Sequence, residues 1–309
     1  VGGTDGTVTE TTKWADGSTN VVETRKDGSV KQSGQTADGV KGETTKTSDG
    51  TMNATATVPA KAADSANAVT LPILPVEAGK STIIVSAPAD KSVKVVVPMQ
   101  NVKPGTVAVL VKADGAEEIV KTAVPTEGGI ALAVQGDVTI KVMDNTKRFN
   151  DMSENNWAYE SVTFVTAREL FNGTSATSFG AGEPMTRGML MTVLARLDGQ
   201  DTAAGSTWYE AGMGWAREQG ISDGTAPEGN LTREQLVTML YRYAGSPKTA
   251  DTAMREFSDA DSVSSYAAEA MEWAVENSIV NGKNGALDPQ GQATRAEVAA
   301  MLQRFVGKL

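Results

Sequence analysis

The chain has 309 residues, of which 28 are Lys or Arg and 38 are Asp or Glu, so its formal net charge is −10. It contains no Cys and no His, which excludes most zinc, haem and iron–sulfur sites and the common Cys/His and Ser/His catalytic groups, so we expect no metal and no cofactor. No apolar run reaches the roughly eighteen residues that a membrane-spanning helix needs, and the acidic balance disfavours nucleic acid.

Aromatic side chains divide the sequence into two parts. Of the 16 Phe, Trp and Tyr residues, only Trp14 precedes Phe149. Charge changes at the same place, because residues 1–148 carry 16 basic and 17 acidic groups whereas residues 149–309 carry 12 and 21. We therefore predict a multidomain chain, with a β-rich N-terminal part followed by an all-α part.

An Asp-Gly pair recurs every 11 residues at the start of the chain. The five pairs are Asp5-Gly6, Asp16-Gly17, Asp27-Gly28, Asp38-Gly39 and Asp49-Gly50. Asp-Gly is favoured in type I′ turns, and the nine residues between turns can form a strand of about 30 Å. Residues 1–60 are therefore predicted to form an antiparallel meander, and a flexible Thr-rich stalk is the alternative.

Alternate positions along these strands predict which side chains share a face. Val8, Val21 and Met52 fall on one face, and Val22 and Val40 fall on the other. Most of the remaining residues are Thr, Ser, Lys and Asn. Because so few positions are apolar, we expect the meander to bury little surface by itself.

Residues 61–148 have the pattern of a β-sandwich. Short runs rich in β-branched residues are separated by Gly, Pro and Asp. These runs cover residues 68–73, 81–86, 93–98, 106–111, 118–124, 130–134 and 138–143. The acidic residues near its turns have no evident partners in the sequence. A structural spacer is the favoured interpretation, and a ligand-binding module is the alternative.

Beyond residue 149 the sequence repeats a helical unit three times. Each unit has an aromatic residue before its first helix, a glycine turn, and a Thr-Arg pair before its second helix. The aromatics are Trp157, Trp208 and Tyr266, the glycines are Gly173, Gly224 and Gly282, and the arginines are Arg187, Arg233 and Arg295. We predict that the aromatics face a ligand, and core packing is the alternative.

Each Thr of the Thr-Arg pairs can cap the helix that follows, because its hydroxyl can accept a first-turn amide hydrogen bond. Arg then occupies the first helical position, beside amides that lack helical partners. Arginine together with a helix N-terminus forms an anion site. The alternative is that each Arg pairs with one of the local carboxylates.

These motifs resemble the S-layer homology (SLH) domain family. Phe149-Asn150-Asp151 with Thr186-Arg187 resembles one copy, Gly220-Ile221-Ser222-Asp223-Gly224 with Thr232-Arg233 a second, and Phe257-Ser258-Asp259 with Thr294-Arg295 a third. The predicted copies are residues 149–200, 201–250 and 251–309. The resemblance implies a pseudo-threefold bundle with binding grooves between copies, in which the arginines, the aromatics, the turn glycines, Asp151 and Asp259 bind the ligand.

The resemblance also implies a function. Triplets of SLH domains anchor bacterial surface proteins non-covalently to a secondary cell-wall polysaccharide, often through a pyruvate ketal on a terminal sugar. We therefore expect an extracellular, non-enzymatic protein of the cell wall that can self-associate in a surface layer. The chain begins Val1-Gly2-Gly3, so we expect that a signal peptide has been removed.

Two departures from the family pattern predict unequal sites. The first copy has Gly188-Met189 where Ala-Glu is usual, which weakens its helix cap, and the second copy lacks the opening Phe-x-Asp. Arg295 lies in the most complete copy, so we expect it to contribute most to binding, from a position outside the core.

Two other functions are considered. In the first, an adhesin or assembly protein, the β-rich half binds a partner and the SLH repeats only tether it. In the second, a glycan hydrolase, paired carboxylates such as Glu154 and Glu160, or Glu269 and Glu272, would act without histidine. These carboxylates are expected on exposed helix faces, which argues for solvation rather than catalysis.

Overall fold

The computed structural model describes residues 2–309, so Val1, the first residue of the predicted meander, lies outside the described residues. Contacts divide the chain into two compact units, of which the first ends at Thr146 and the second is Lys147–Leu309. The predicted border, before Phe149, lies two residues after this division. Each unit is described separately.

Five antiparallel strands of six residues each form the meander of the first unit. They are β1 (Val8–Lys13), β2 (Thr19–Thr24), β3 (Val30–Gln35), β4 (Lys41–Lys46) and β5 (Met52–Thr57). Each strand pairs with the next over its whole length. The Asp-Gly repeat therefore builds a regular ladder.

The turns between these strands are not of type I′. Gly17 has a φ of 90°, but Asp16 does not have a positive φ, whereas a type I′ turn needs both. The amide of Gly17 donates to the carbonyl of Trp14 (3.1 Å), and Oδ1 of Asp16 accepts from the amide of Ser18 (2.9 Å). This is a type I turn followed by a left-handed glycine, and it shortens the strands from nine residues to six.

The predicted faces of the meander also need correction. Every pair in the ladder joins two even-numbered or two odd-numbered residues, as Val22 with Gln32 and Thr44 with Ala54. Val22 therefore shares the face of Met52, and Val21 lies on the opposite face. Val40 is also buried in the same core as Met52.

The meander and the sandwich, predicted as separate domains, share one sheet. Strand β5 pairs in parallel with β7, which places the meander at one end of a nine-stranded sheet. A four-stranded sheet packs against it around a core that includes Val95, Ile83 and Ile140. The further elements of this unit are α1 (Ala60–Ala63), β6 (Val69–Thr70), β7 (Ser81–Ser86), β8 (Val93–Pro98), β9 (Thr106–Val111), β10 (Glu117–Ile119), β11 (Val124–Thr126), β12 (Gly129–Val134) and β13 (Asp137–Asp144).

Six α-helices in three consecutive pairs build the second unit. They are α2 (Tyr159–Ala167) and α3 (Arg187–Leu197), α4 (Glu210–Glu218) and α5 (Arg233–Tyr243), and α6 (Ala268–Glu276) and α7 (Arg295–Val306). Short 3₁₀ helices at Ala253–Glu256, Ala260–Ser262 and Ser265–Ala267 precede α6. None of the helices in residues 2–309 has the length and apolar character needed to span a membrane.

The helix pairs pack in a closed ring. Helix α3 contacts α4, α5 contacts α6, and α7 contacts α2. At the centre, the amide of Met185 donates to Ala293, that of Ala293 to Leu231, and that of Leu231 to Met185, with N···O distances of 2.8 to 2.9 Å. We call these three bonds the central triangle. Each pair is thereby bonded to both of the others.

Candidate functional site

Each second helix begins with the predicted threonine cap. The hydroxyls of Thr186, Thr232 and Thr294 accept from the amide three residues later at 3.2 to 3.3 Å. The side chains of Gln235 and Glu297 in turn accept a hydrogen bond from the amide of the capping threonine, which completes a capping box. Met189 cannot return this bond because its thioether is a poor acceptor, so the first helix has the cap without the box.

The helix N-termini are not free to bind an anion. The amides of Arg187, Arg233 and Arg295 donate to the carbonyls of Gly229, Gly291 and Glu183 at 2.8 to 2.9 Å. The next amide of each helix also donates to a neighbouring carbonyl. The prediction that these amides form an anion site is therefore wrong, because the loop of another helix pair already occupies them.

The arginine side chains also cross to another helix pair. Nε of Arg187 donates to the carbonyl of Thr225 (3.0 Å), Nε of Arg233 to Leu287 (2.8 Å) and Nε of Arg295 to Phe179 (3.0 Å). Arg295 is only 5% exposed, so the prediction that it lies outside the core is wrong. Its guanidinium also lies over the ring of Phe179, 4.8 Å from the centroid.

One groove brings together predicted site residues from all three helix pairs. It is a pocket of about 140 Å³ that contains Gly173 from the first pair, Trp208 from the second and Arg295 from the third. Its other lining residues are Leu170, Phe171, Asn172, Thr174, Met185, Met189, Thr192, Val193 and Arg196. We call it the first groove. Arg295, predicted as a site residue of the third copy, therefore lines a groove whose turn belongs to the first copy.

By analogy with the first groove, we infer two further grooves from the equivalent sequence positions. Arg187 donates to Ser222 and Asp223 beside the Gly224 turn, and Tyr266 is the sequence equivalent of Trp208. We call this the second groove. In the third groove, Arg233 donates to the carbonyl of Leu287, which follows the Gly282 turn, and Trp157 is the sequence equivalent of Trp208.

The three predicted aromatics are exposed. Trp157 is 68% exposed, and Trp208 and Tyr266 are each 54% exposed. By contrast, Trp215 and Trp273 are buried, although they lie only seven residues after Trp208 and Tyr266. Core packing therefore does not account for the exposed set, and a flat apolar ring at a groove can stack against a sugar.

The two predicted aspartates brace loops and do not line the first groove. Asp151 accepts from the amides of Phe179 and Gly180, each at 2.8 Å, and Asp259 accepts from those of Leu287 and Asp288 at 2.7 and 2.8 Å. The braced residues Phe179 and Leu287 are those whose carbonyls receive Arg295 and Arg233. The aspartates thus position the arginines indirectly.

Two of the turn glycines make room for the opening aromatic. A Cβ on Gly173 would lie 2.7 Å from the ring of Phe149, and one on Gly282 would lie 2.4 Å from the ring of Phe257. Gly224, in the second copy, has no such Phe beside it, but it shares a positive φ with Gly282 (76° and 75°). The glycines therefore shape the turns that form the groove walls.

Sequence reasoning missed a second arginine in each copy. Arg196, Arg242 and Arg304 each follow the Thr-Arg arginine by nine residues. Their Nη1 atoms donate to the carbonyls of Leu170, Ile221 and Ile279 at 3.1 to 3.2 Å. Burial lowers the pKa of Arg196 and Arg304. The constant spacing was visible in the sequence and could have identified them.

Parts of this unit are similar in sequence to a known protein family. Two segments match the S-layer homology domain family. They are residues 148–188 and 256–299, which cover much of the first and third predicted copies. The second SLH copy, residues 201–250, lies between the matched segments and stays a prediction.

Three relatives match over about half of the chain. An endoglucanase of Bacillus sp. (strain KSM-635) is 26% identical over 181 residues, which are 53% of this chain and 19% of the relative. An amylopullulanase of Thermoanaerobacterium thermosulfurigenes is 28% identical over 180 residues, which are 52% of this chain and 10% of the relative. The S-layer protein sap of Bacillus anthracis is 22% identical over 191 residues, which are 57% of this chain and 23% of the relative. The matched parts are less than a quarter of each relative.

Proposed function

We propose that the second unit anchors the protein non-covalently to a bacterial cell wall by binding an anionic secondary polysaccharide. The first groove carries this proposal, because it places an exposed indole beside a buried guanidinium. The SLH matches and the S-layer relative support a place at the cell surface. Self-association in a surface layer belongs to the same proposal.

The chemistry of the groove suits a pyruvate ketal. A ketal carboxylate is small and planar, so it can accept charge-assisted hydrogen bonds from a guanidinium. The indole of Trp208 can lie against the apolar face of the attached sugar ring. Since the protein is acidic, long-range attraction to an anionic polymer is absent, and binding depends on these local contacts.

The arrangement of the copies is part of this proposal. We infer three SLH copies in a pseudo-threefold bundle. The cyclic helix contacts and the central triangle support it, as do the equivalent bonds of the three arginines. A groove then needs all three copies.

Catalysis by this chain is not part of the proposal. Glu272, expected on an exposed face, is 4% exposed and accepts from the amides of Ala253 and Met254. It therefore secures the 3₁₀ segment before α6. Glu154 and Glu160 are exposed, and the described residues contain no group of three or more acidic side chains placed to hold a metal ion.

The β-rich unit is a candidate for a second binding function. It has an open cleft of about 750 Å³, with Leu74, Val76 and Met99 beside Lys46 and Glu77. Binding of a partner in this cleft would agree with the adhesin alternative. A pull-down with the first unit alone tests it.

Removal of Trp208 tests the anchoring proposal. Trp208→Ala in the full chain should reduce co-sedimentation with purified walls by about tenfold or more, since sugar stacking is lost, without lowering the melting temperature. Trp14→Ala is the matched control, because Trp14 is similarly exposed (52%) but lies in the first unit. Sedimentation that is unchanged after the secondary polymer is stripped from the walls contradicts the proposal.

A further inference from the structure

The three grooves differ in which charges face their arginines. We propose that the first groove alone accepts the anionic substituent of the polymer, and that Asp223 and Glu297 close the second and third grooves. This inference rests on the proposed function and specifies its site. It also assigns a role to Met189, which the sequence analysis treated as a defect.

Arg295 retains hydrogen-bonding capacity in the first groove. Its Nε donates to Phe179, and its Nη2 donates to the carbonyl of Asn172 at 2.6 Å. Its Nη1 has only the sulfur of Met189, a weak acceptor, at 3.7 Å. No carboxylate lies within 4 Å of Arg295 among the described residues. The guanidinium is therefore buried, charged and only partly satisfied.

A second cation faces the same pocket. Arg196 lines the first groove and donates from Nε to the hydroxyl of Thr202 and from Nη1 to Leu170. None of the residues that line the pocket is acidic. Glu169 near Arg196, and Glu183 and Asp151 near Arg295, act only at longer range. The lining thus carries two positive charges and no negative one.

The second groove supplies its own anion. Nη2 of Arg187 donates to Oδ1 of Asp223 at 2.7 Å and to the hydroxyl of Ser222 at 3.0 Å. Hydrogen bonds from Thr225 and the charge of Arg187 lower the pKa of Asp223, so it stays ionised at neutral pH. Tyr266, the aromatic residue of this groove, already donates a hydrogen bond from its hydroxyl to Glu234. A polymer carboxylate would have to displace or approach Asp223.

The third groove has a fixed carboxylate at the position of Met189. Oε2 of Glu297 lies 3.8 Å from Nη1 of Arg233, and both side chains are largely buried. The capping box holds Glu297 in place through the amide of Thr294. Glu297 and Met189 are each the third residue after the capping threonine. The exchange of Glu for Met thus removes a negative charge from the first groove.

Counting the sites tests this inference. The full chain is titrated calorimetrically with the methyl glycoside of an N-acetylhexosamine that carries a 4,6-pyruvate ketal, and the ketal-free sugar is the control. We expect one site per chain, with no heat from the control. Arg295→Lys should weaken binding at least several-fold, because Lys keeps the charge but loses the planar fork.

Exchanges of single charges provide matched variants. Met189→Glu should weaken binding by about tenfold or more, since it adds a carboxylate to the groove, whereas the near-isosteric Met189→Gln should bind as the parent does. Asp223→Asn should open a second site. Glu297→Gln should also add a site, because Gln235 shows that Gln maintains the capping box.

Several outcomes would overturn the inference. Two or three sites in the parent chain, equal binding by Met189→Glu and Met189→Gln, or no heat from the ketal probe would each do so. In all three cases, polymer-dependent sedimentation with walls would still support anchoring. Loss of that polymer dependence would instead reject the proposed function itself.

Discussion

Asp151 accepts hydrogen bonds from the amides of Phe179 and Gly180, and the carbonyl of Phe179 accepts one from Arg295. Partial burial raises the pKa of Asp151, but these amides and the hydroxyl of Ser178 together lower it by more. A carboxyl whose pKa is lower in the folded state stabilises the fold above its unfolded pKa, about 3.9. That contribution is lost as the pH falls through the folded value.

Asp151→Asn should therefore lower the free energy of unfolding at pH 7 by about 1 kcal/mol, because Asn offers one acceptor oxygen instead of two. The difference from the parent should narrow as the pH falls below the unfolded pKa of about 3.9 and through the lower folded pKa of Asp151. Melting curves over this range of pH measure it. Asp261→Asn, at an exposed carboxylate, is the control. A difference that stays constant with pH would show that the charge is not involved.

At the level of secondary-structure elements, each Asp-Gly turn depends on one left-handed residue. Gly28 has a φ of 82°, and a Cβ built there would meet nothing within 4 Å. A substitution at Gly28 therefore destabilises the turn through its backbone conformation and not through a clash with neighbouring atoms. Oδ1 of Asp27 accepts from both the amide and the hydroxyl of Ser29 and holds the turn on its other side.

Gly28→Val should destabilise the first unit by about 1 to 2 kcal/mol, because a β-branched residue tolerates positive φ poorly. Gly28→Asn should cost less, since Asn adopts the left-handed region more readily. Amide hydrogen exchange in β2 and β3 provides the measurement. Equal protection in the parent and the Val variant would favour a flexible stalk.

Local features of the sequence were predictable, whereas long-range partners were not. The period of 11 and the threonine caps follow from short-range rules, and both are present in the structure. The turn type was missed because the Asp side chain accepts the amide two residues later. The burial of Arg295 could not be foreseen, since its partner Phe179 lies 116 residues earlier in the chain. Only closure of the ring brings the two together.

Closure of the ring is the main feature of the second unit as a whole. Helix α7 covers α2, so the last helix pair completes the environment of the first. The first groove takes Arg295 from the last pair although its turn and helix α3 belong to the first. Stability and binding in this unit therefore depend on all three pairs together.

Deletion of residues 251–309 should abolish wall binding although the first predicted copy remains intact. The deletion removes Arg295 and helix α7, which packs against α2. Circular dichroism melts should show a single cooperative transition for residues 147–309 and none for residues 147–250. Wall binding by a fragment of residues 147–250 would contradict a groove shared among the three pairs.

The central triangle has an evolutionary consequence, because its three bonds use only main-chain atoms. No side-chain exchange can remove a main-chain acceptor, and among the donors at Met185, Leu231 and Ala293 only proline would remove an amide. The copies can therefore diverge freely at their groove positions, as Met189, Gln235 and Glu297 have done, while the ring stays closed. A gene that encodes such a unit can change one binding specificity at a time without redesign of its scaffold.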